Sequence, residues 1–295
     1  MFFRTDLALE VQETEQASTA GVRVEESKEG DVKITRIHIT NEAGEKRIGK
    51  PAGRYITIEL PPLTDNLPNE SQWYDVVTEE LRKVIPADGP ILVCGLGNEE
   101  ITPDALGPAT AAHILATRHL VGEWERAAGL SGLRSVSVLA PGVLGQTGIE
   151  AAELLTGIVK EVKPAAVVVI DALASRRLSR LGCTLQISDT GISPGSGVAN
   201  SRPSIDKKTL GVPVIAVGVP TVVDAATLAA DLLEPKNESA WEKIREAVSP
   251  RGADMIVTPK EIDLLIQRAA ALTALSLNTA LQPSLSRKDI RALIS

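Results

Sequence analysis

Two patterns of polar and apolar positions divide the chain. Residues 20–60 alternate between the two kinds, which is typical of strands with one face in water, and turn residues interrupt them at Glu29–Asp31 and Asn41–Gly44. From residue 90 onward, continuous apolar runs alternate with stretches of helical periodicity. The first pattern predicts a small β-meander. The second predicts an α/β fold with a mostly parallel sheet flanked by helices.

The apolar runs also predict the individual elements. Buried strands are predicted at 91–95, 134–139, 166–170, 184–188 and 213–218, with a short one at Met255–Val257. Helices are predicted at 71–84, 108–120, 148–162 and 222–233. A further helix is predicted to start at Thr258, Pro259 and Glu261, which fit a capping box with proline in the first turn, and to run to about residue 280.

Three units follow from this order of elements. Residues 1–62 form a β-rich N-terminal part, a smaller layer attached to the main domain, and a Pro-Pro pair closes it. Residues 63–282 form the α/β core, and residues 283–295 form a tail that holds a loose last helix.

Composition and charge narrow the range of partners. With two Phe, three Trp and two Tyr among 295 residues, the chain lacks the rings on which nucleic-acid bases stack. A formal net charge of −7 argues against a phosphate backbone as partner, because such binding needs an excess of Lys and Arg. We therefore predict no direct contact with nucleic acid.

Cysteine and histidine positions predict neither a disulfide framework nor a metal or cofactor site. Cys94 and Cys183 are the only cysteines and have no CxxC spacing. His113 and His119 lie six positions apart, which does not place them on one face of a helix. No continuous apolar stretch of about 18 residues and no leader pattern is present, so we predict a soluble, cytoplasmic protein without a membrane segment.

Two aspartates are the main candidates for chemistry. Asp104 follows the predicted strand 91–95 in the stretch GLGNEEITPDALGP, and Asp171 follows the strand 166–170 in IDALASR. Ligands of open α/β sheets bind beyond the carboxyl ends of the strands, so the two acids are expected to share a crevice. Two neighbouring carboxyls do not ionise easily together, and one can then act as a general acid while the other activates water.

Each aspartate also has a structural explanation when taken alone. Asp104 precedes a predicted helix and could sit at its terminus, and Asp171 could cap the segment that follows its strand. Their joint position at two strand ends favours the catalytic interpretation.

Other short motifs are less specific. Gly95-Leu-Gly97 begins a dinucleotide-binding pattern, but Glu100 occupies the position of its third glycine and would repel a pyrophosphate. The glycines are better explained by a tight backbone turn. Asp189-Thr-Gly191 spells a triplet of all-β aspartic peptidases, a class whose strand pattern this chain lacks, and an Asx-type turn explains it better.

Ser193 stands in a GxSxG match, the pattern of a nucleophile elbow. That elbow needs a helix directly after the serine and a histidine further on, whereas all three histidines of the chain precede Ser193. Ser204–Lys207 matches S-x-x-K with equally low specificity. We interpret the Gly-rich loop 191–197 as mobile backbone near the crevice that can offer amide groups to an extended chain.

The chain resembles the germination proteases of spore-forming bacteria over almost its whole length. The matching segments are RTDLALE at 4–10, GLGNEEITPDALGP at 95–108, IDALASR at 170–176, QISDTGISPGSGVANSR at 186–202, GVPVIAVGVPTVVDA at 211–225 and VTPKEID at 257–263. The resemblance implies a sequence-specific endopeptidase of the forespore and spore core that degrades small acid-soluble, DNA-coating spore proteins. It further implies a self-processing zymogen, a homotetramer, a sheet similar to that of hydrogenase-maturation peptidases, and Asp104 and Asp171 as the catalytic acids.

The N-terminus itself looks like a substrate of this family. Thr5–Glu10 follows the pattern of Thr, acid, large apolar residue, Ala, any residue and Glu, which implies cleavage between Asp6 and Leu7. We expect a basic subsite for Asp6, an aliphatic pocket for Leu7 and a tight subsite for Ala8, in a terminus that is exposed. Only six residues precede this junction, fewer than the pro-segment expected of the family.

Two alternatives stay open at this point. One is a hydrogenase-maturation-like peptidase, which would recruit a metal of its substrate through an acid and a histidine, and the missing downstream histidine counts against it. The other is a catalytically silent scaffold that keeps the acids as structural caps. Turnover of a peptide substrate separates the scaffold from an enzyme.

Overall fold

The computed structural model describes residues 4–14, 21–65, 72–120, 132–195, 202–233, 238–248 and 255–294. Within these residues, nine strands form one sheet in the order β1-β2-β3-β7-β8-β6-β4-β5, with β9 beside β8. The strands are β1 Val22–Glu29, β2 Val32–Ile39, β3 Gly53–Glu59, β4 Ile91–Gly95, β5 Val136–Leu139, β6 Ala166–Ala174, β7 Thr184–Ser188, β8 Val214–Asp224 and β9 Ile256–Val257.

The helices connect and cover these strands. The α-helices of the described residues are α1 Ala8–Thr14, α2 Glu42–Ile48, α3 Gln72–Val84, α4 Leu106–Ala111, α5 Leu144–Thr147, α6 Ala151–Val162, α7 Lys207–Leu210, α8 Ala225–Leu233, α9 Glu238–Val248, α10 Ile262–Leu281 and α11 Arg287–Ile294. Short 3-10 turns lie at Thr102–Asp104 and Leu178–Arg180.

The sheet has a parallel half and an antiparallel half. Strands β5, β4, β6 and β8 run parallel to one another. The remaining pairs, from β8 through β7, β3 and β2 to β1, are antiparallel. The predicted α/β class with flanking helices is confirmed, and the sheet is mixed because the N-terminal strands extend it through β3 and β7 instead of forming a separate layer. The unit boundaries at residues 62 and 282 stay predictions.

Aliphatic side chains fill both faces of the parallel half. One buried cluster joins this sheet to α3, α4 and α10, with Leu81, Leu106 and Leu277 fully buried in it. The other joins the opposite face to α6, with Leu155 and Val169 at its centre. By length and composition alone α10 could cross a membrane, but most of it is buried as a core helix between α3 and α4.

Several predicted element ends were wrong. The helix predicted at 108–120 is the short α4, because the chain turns away after Ala111 and the amide of Thr117 donates to the carbonyl of Val136 on β5. The turn predicted at Asn41–Gly44 is the start of α2, where the side chain of Asn41 caps the helix by accepting a hydrogen bond from Gly44 N. Strands β6 and β8 each continue several residues beyond their predicted ends.

The predicted capping box at Thr258, Pro259 and Glu261 was also wrong. Helix α10 begins at Ile262, and Glu261 precedes it without a side-chain cap. The hydroxyl of Thr258 instead donates to the carbonyl of Thr221 on β8, at 2.9 Å. Thr258, the residue that fits the first position of a capping box, therefore attaches this loop to the sheet.

The N-terminal segment, which was expected to be exposed, is buried over residues 7–11. Leu7 and Ala8 have no exposed surface, and Leu9 and Val11 are nearly as deep. Helix α1 packs in a cluster with Ile37 and other side chains of β2, α2 and β3, and this covers part of the antiparallel half. A bulky residue at Ala8 would therefore disturb packing as well as recognition, which the sequence did not indicate.

Candidate active site

A cavity of about 450 Å³ lies at the carboxyl ends of β4, β6 and β8, and both candidate aspartates line it. Asp104 reaches it from the loop after β4, and Asp171 reaches it from β6. Pro194 and Gly195 of the Gly-rich loop also line it, as predicted for that loop, whose residues 196–201 lie outside the described part of the chain. We call this cavity the crevice.

Asp171 occupies the more enclosed position. It lies inside β6, three residues before the strand ends, so it does not cap a following segment. Its side chain is buried, and Oδ1 accepts a hydrogen bond from the amide of Ala172 at 2.9 Å. Burial, followed by the charges of Asp104 and Asp6, holds the pKa of Asp171 well above its usual range.

Asp104 ends the 3-10 turn Thr102–Asp104 and is only partly buried. Its Oδ2 accepts a hydrogen bond from the amide of Asn98 at 2.8 Å. Burial raises the pKa of Asp104, and the Asn98 hydrogen bond partly offsets this shift. The hydroxyl of Thr221 on β8 donates to the carbonyl of Pro103 at 2.7 Å, so the turn that carries Asp104 is attached to the neighbouring strand.

Glycines allow the Asp104 turn to approach the strand ends. A Cβ on Gly107 would lie 2.1 Å from the carbonyl oxygen of Leu96 and 2.6 Å from that of Ile170. Gly97 has φ +111°, and a Cβ there would lie 2.0 Å from the carbonyl oxygen of Asp104. Only glycine lets the start of α4 pack this closely between the strands that precede the two acids.

Two carboxyls with raised pKa values in one crevice can share a single proton. The protonated acid can donate a proton to a leaving group, and the ionised acid can activate water. Cys94, on the strand beside Asp171, is fully buried, and burial raises the pKa of its thiol to about 12. Its thiolate is therefore scarce at neutral pH, and the prediction of a packed strand residue is confirmed for Cys94.

The N-terminal segment reaches the crevice at Asp6, next to these acids. Asp6 lines the crevice, and its amide donates to the carbonyl of Ala174 while its Oδ2 accepts from the amide of Ala174, both at 2.9 Å. Residue Ala174 is the last residue of β6, the strand that carries Asp171. The sequence placed Asp6 and Leu7 at a processing site, and the structure brings that segment to the same crevice as the two acids.

Gln186 on β7 binds the backbone on both sides of Leu7, the residue that follows the predicted cleaved bond. Its Nε2 donates to the carbonyl of Asp6 at 3.1 Å, and its Oε1 accepts from the amide of Ala8 at 2.9 Å. A single side-chain amide therefore positions the backbone on both sides of Leu7. Sequence reasoning missed this role, since a polar residue in a predicted buried strand was the only available signal.

A buried carboxylate anchors the far end of the segment. Glu10 accepts hydrogen bonds from the backbone amides of Arg176 and Arg177 at 2.7 and 2.9 Å, and the hydroxyl of Thr5 also donates to it. Burial is the largest influence on the pKa of Glu10 and raises it. The segment is thus held before, at and after the bond between Asp6 and Leu7.

The other motif residues lie elsewhere. Asp189 accepts two hydrogen bonds from Arg54, from the backbone amide and from Nε, each at 2.7 Å, so the predicted Asx-type turn is replaced by a link between β3 and β7. Asp189 does not line the crevice. Ser193 and Ser204 share a hydrogen bond of 2.8 Å and line a second, smaller cavity described below.

Within the part of the chain that the structure describes, no group of three His, Cys, Asp or Glu residues could hold a metal ion.

Two residues support Asp104 from neighbouring segments. Asn98, whose amide binds Asp104, also accepts a side-chain hydrogen bond from Gln146 at 2.8 Å. Sequence reasoning missed Asn98 and Thr221 as supports of Asp104, because their proximity to it arises only in the folded chain.

The fold and site together define an α/β protein with a two-carboxylate crevice that holds its own N-terminal segment. The family model described as Germination protease matches residues 4–235. The chain is 47% identical to the Germination protease of Caldanaerobacter subterraneus subsp. tengcongensis, over 99% of this chain and 98% of that protein. It is 40% identical to the one of Clostridium acetobutylicum, over 99% of each.

The chain therefore belongs to the germination protease family, and the predicted resemblance is confirmed. Among solved structures, it is similar to a [NiFe] hydrogenase maturation protease, HycI from Thermococcus kodakarensis KOD1, at 20% identity and a TM-score of 0.37, over 67% of this chain and 98% of that chain. A TM-score of that size is too low for an argument about mechanism.

Proposed function

We propose that this protease is an aspartate-dependent endopeptidase in which Asp104 and Asp171 activate a water molecule for attack on a peptide carbonyl. The observation that carries the proposal is the meeting of three groups in one crevice: two carboxyls with raised pKa values and a peptide segment of the chain itself. General acid and base groups must lie within reach of the bond they act on, and Asp6, the residue before the proposed cleaved bond, lines the same crevice as both acids.

The surroundings of the two acids support a division of roles. Asp171 is the more deeply buried and carries the charge repulsion of Asp104, so it keeps the shared proton. Asp104 accepts a hydrogen bond from Asn98, which favours its ionised form. In the proposed reaction, Asp104 takes a proton from water, the resulting hydroxide attacks the carbonyl carbon, and Asp171 gives its proton to the leaving nitrogen.

We further propose that the substrates are the small acid-soluble, DNA-coating proteins of the spore, cleaved in the spore core when germination begins. Membership of the germination protease family supports this role. A homotetramer is the proposed assembly. Both proposals derive from membership of the germination protease family.

Cleavage of such a spore protein is the expected result of the decisive experiment. Purified protein is incubated with a small acid-soluble spore protein, and the products are mapped by mass spectrometry. We expect one or few cuts, each directly after an acidic residue and before a large apolar one. A catalytically silent scaffold would leave the substrate intact, and cuts scattered along the chain would contradict sequence specificity.

Self-processing between Asp6 and Leu7 is a second expected result. Hydrogen bonds to Ala174, Gln186 and the Glu10 anchor hold this bond beside the crevice, so the same groups serve cleavage in cis. N-terminal sequencing of protein matured under mildly acidic, low-water conditions should show Leu7 as the first residue. The matched control is Asp104→Asn, which should keep its original terminus. A stable mature form that starts at another residue would contradict the proposal.

A further inference from the structure

A second cavity, of about 180 Å³, lies beside the crevice, and Asp6 lines both. Among the described residues, its wall carries one cationic side chain, Lys50, which lies between the end of α2 and the start of β3. Tyr55, Gln186 and Ser188 are among its polar neighbours. The residue that precedes the proposed cleaved bond therefore faces a small cavity that contains a lysine.

We infer that Lys50 is a specificity-determining residue, whose ammonium group selects an acidic side chain immediately before the cleaved bond. The inference rests on the proposed function, since it assigns to this cavity a subsite of the same peptidase. The sequence predicts a basic subsite for Asp6 but does not indicate which residue forms it, and we assign that role to Lys50.

The hydrogen bond of Asp6 to the backbone provides little of this selectivity by itself. The amide of Ala174 donates to Oδ2 of Asp6, and an asparagine or glutamine side chain presents an equivalent oxygen to such a donor. A neutral donor favours a carboxylate over an amide only modestly, whereas a cation adds an attraction that the uncharged amide does not receive. Lys50 lines the cavity close enough for the charge of Asp6 to act on it.

The local environment strengthens the interaction. Burial lowers the pKa of Lys50, and the charge of Asp6 counteracts this shift by stabilising the ammonium form. Asp206 is the other acidic residue of the cavity wall, and its carboxylate caps α7 by accepting a hydrogen bond from the amide of Thr209. Asp206 is thus committed to its own helix, and Lys50 remains available to a substrate carboxylate once the leader that ends at Asp6 has been released.

Two synthetic peptides test the inference in trans: residues 1–14 of this chain, and the same peptide with Asp6→Asn. We expect Lys50→Met to lower kcat/KM for the Asp6 peptide about tenfold or more, mainly by raising KM. The same substitution should change kcat/KM for the Asp6→Asn peptide less than about twofold. Lys46→Met is the matched control, because Lys46 is an exposed lysine of α2 that pairs with Glu42. It should leave both values unchanged.

Exchanging the two charges between protein and peptide shows whether a lower cleavage rate comes from lost recognition or from misfolding. A third peptide, with Asp6→Lys, should be cleaved poorly by the unaltered protein and several times faster by Lys50→Glu, a gain that a damaged fold cannot produce. Equal losses of Lys50→Met on the first two peptides, or no gain in the exchange, would overturn the role of Lys50 alone. Failure of the unaltered protein, matured so that it begins at Leu7, to cleave the Asp6 peptide would overturn the proposed function, and the inference with it.

Discussion

Replacing either Asp104 or Asp171 with Asn should lower the rate of peptide cleavage at least about a hundredfold, because each change removes one partner of the acid and base pair. Rates are measured as kcat/KM on a peptide that contains the sequence around Asp6 and Leu7. Asp189→Asn is the matched control. Its carboxylate binds Arg54 outside the crevice, so its loss should change the rate far less. An inactive Asp189→Asn beside an active Asp171→Asn would refute the assignment.

The Asp171→Asn variant should also be more stable than the unaltered protein at pH 8. The folded state raises the pKa of Asp171, so this carboxyl destabilises the fold as the pH rises from its unfolded value through its folded value. Below that window both states carry the proton and the penalty vanishes. Asparagine never ionises, so the gain should be about 1 to 3 kcal/mol at pH 8 and should shrink toward pH 4. Thermal unfolding at the two pH values measures it, and an equal gain at both would contradict the explanation.

Gly107→Ala should lower the free energy of unfolding by about 3 kcal/mol or more and should abolish cleavage. The added Cβ would lie 2.1 Å from the carbonyl oxygen of Leu96, 2.4 Å from its amide nitrogen and 2.6 Å from the carbonyl oxygen of Ile170. All three are backbone atoms of the chain segments that lead to the two acids, and they cannot move aside as a side chain could. Urea unfolding gives the change in stability.

Gly157→Ala supplies the control for this prediction. Gly157 lies inside α6 with no atom within 4 Å of an added Cβ, so alanine should stabilise the helix by roughly 0.5 to 1 kcal/mol. A loss of stability in Gly107→Ala together with a gain in Gly157→Ala would show that the effect at Gly107 comes from close backbone packing. A Gly107→Ala protein with unchanged stability and activity would refute the proposed contact between α4 and the strand ends.

The strands of the parallel half were the most predictable part of the fold. Runs such as 91–95 and 166–170 are apolar at every position, because helices cover both faces of the sheet there, and this pattern leaves little choice of structure. Helix ends were harder to predict. The end of α4 at Ala111 depends on a backbone hydrogen bond between Thr117 and Val136, which pattern alone cannot reveal.

The sequence by itself determined the fold class, the two buried strands near whose carboxyl ends Asp104 and Asp171 lie, and the family to which the chain belongs. These properties follow from local hydrophobic patterns and from ordered motifs along the chain. Only the tertiary structure decided that the N-terminal segment is buried beside the crevice, that Gln186 binds the backbone on both sides of Leu7, and that Lys50 lines the same small cavity as Asp6. Those contacts join residues more than 40 positions apart, and the packing of α1 against the sheet brings them together, so no local pattern encodes them.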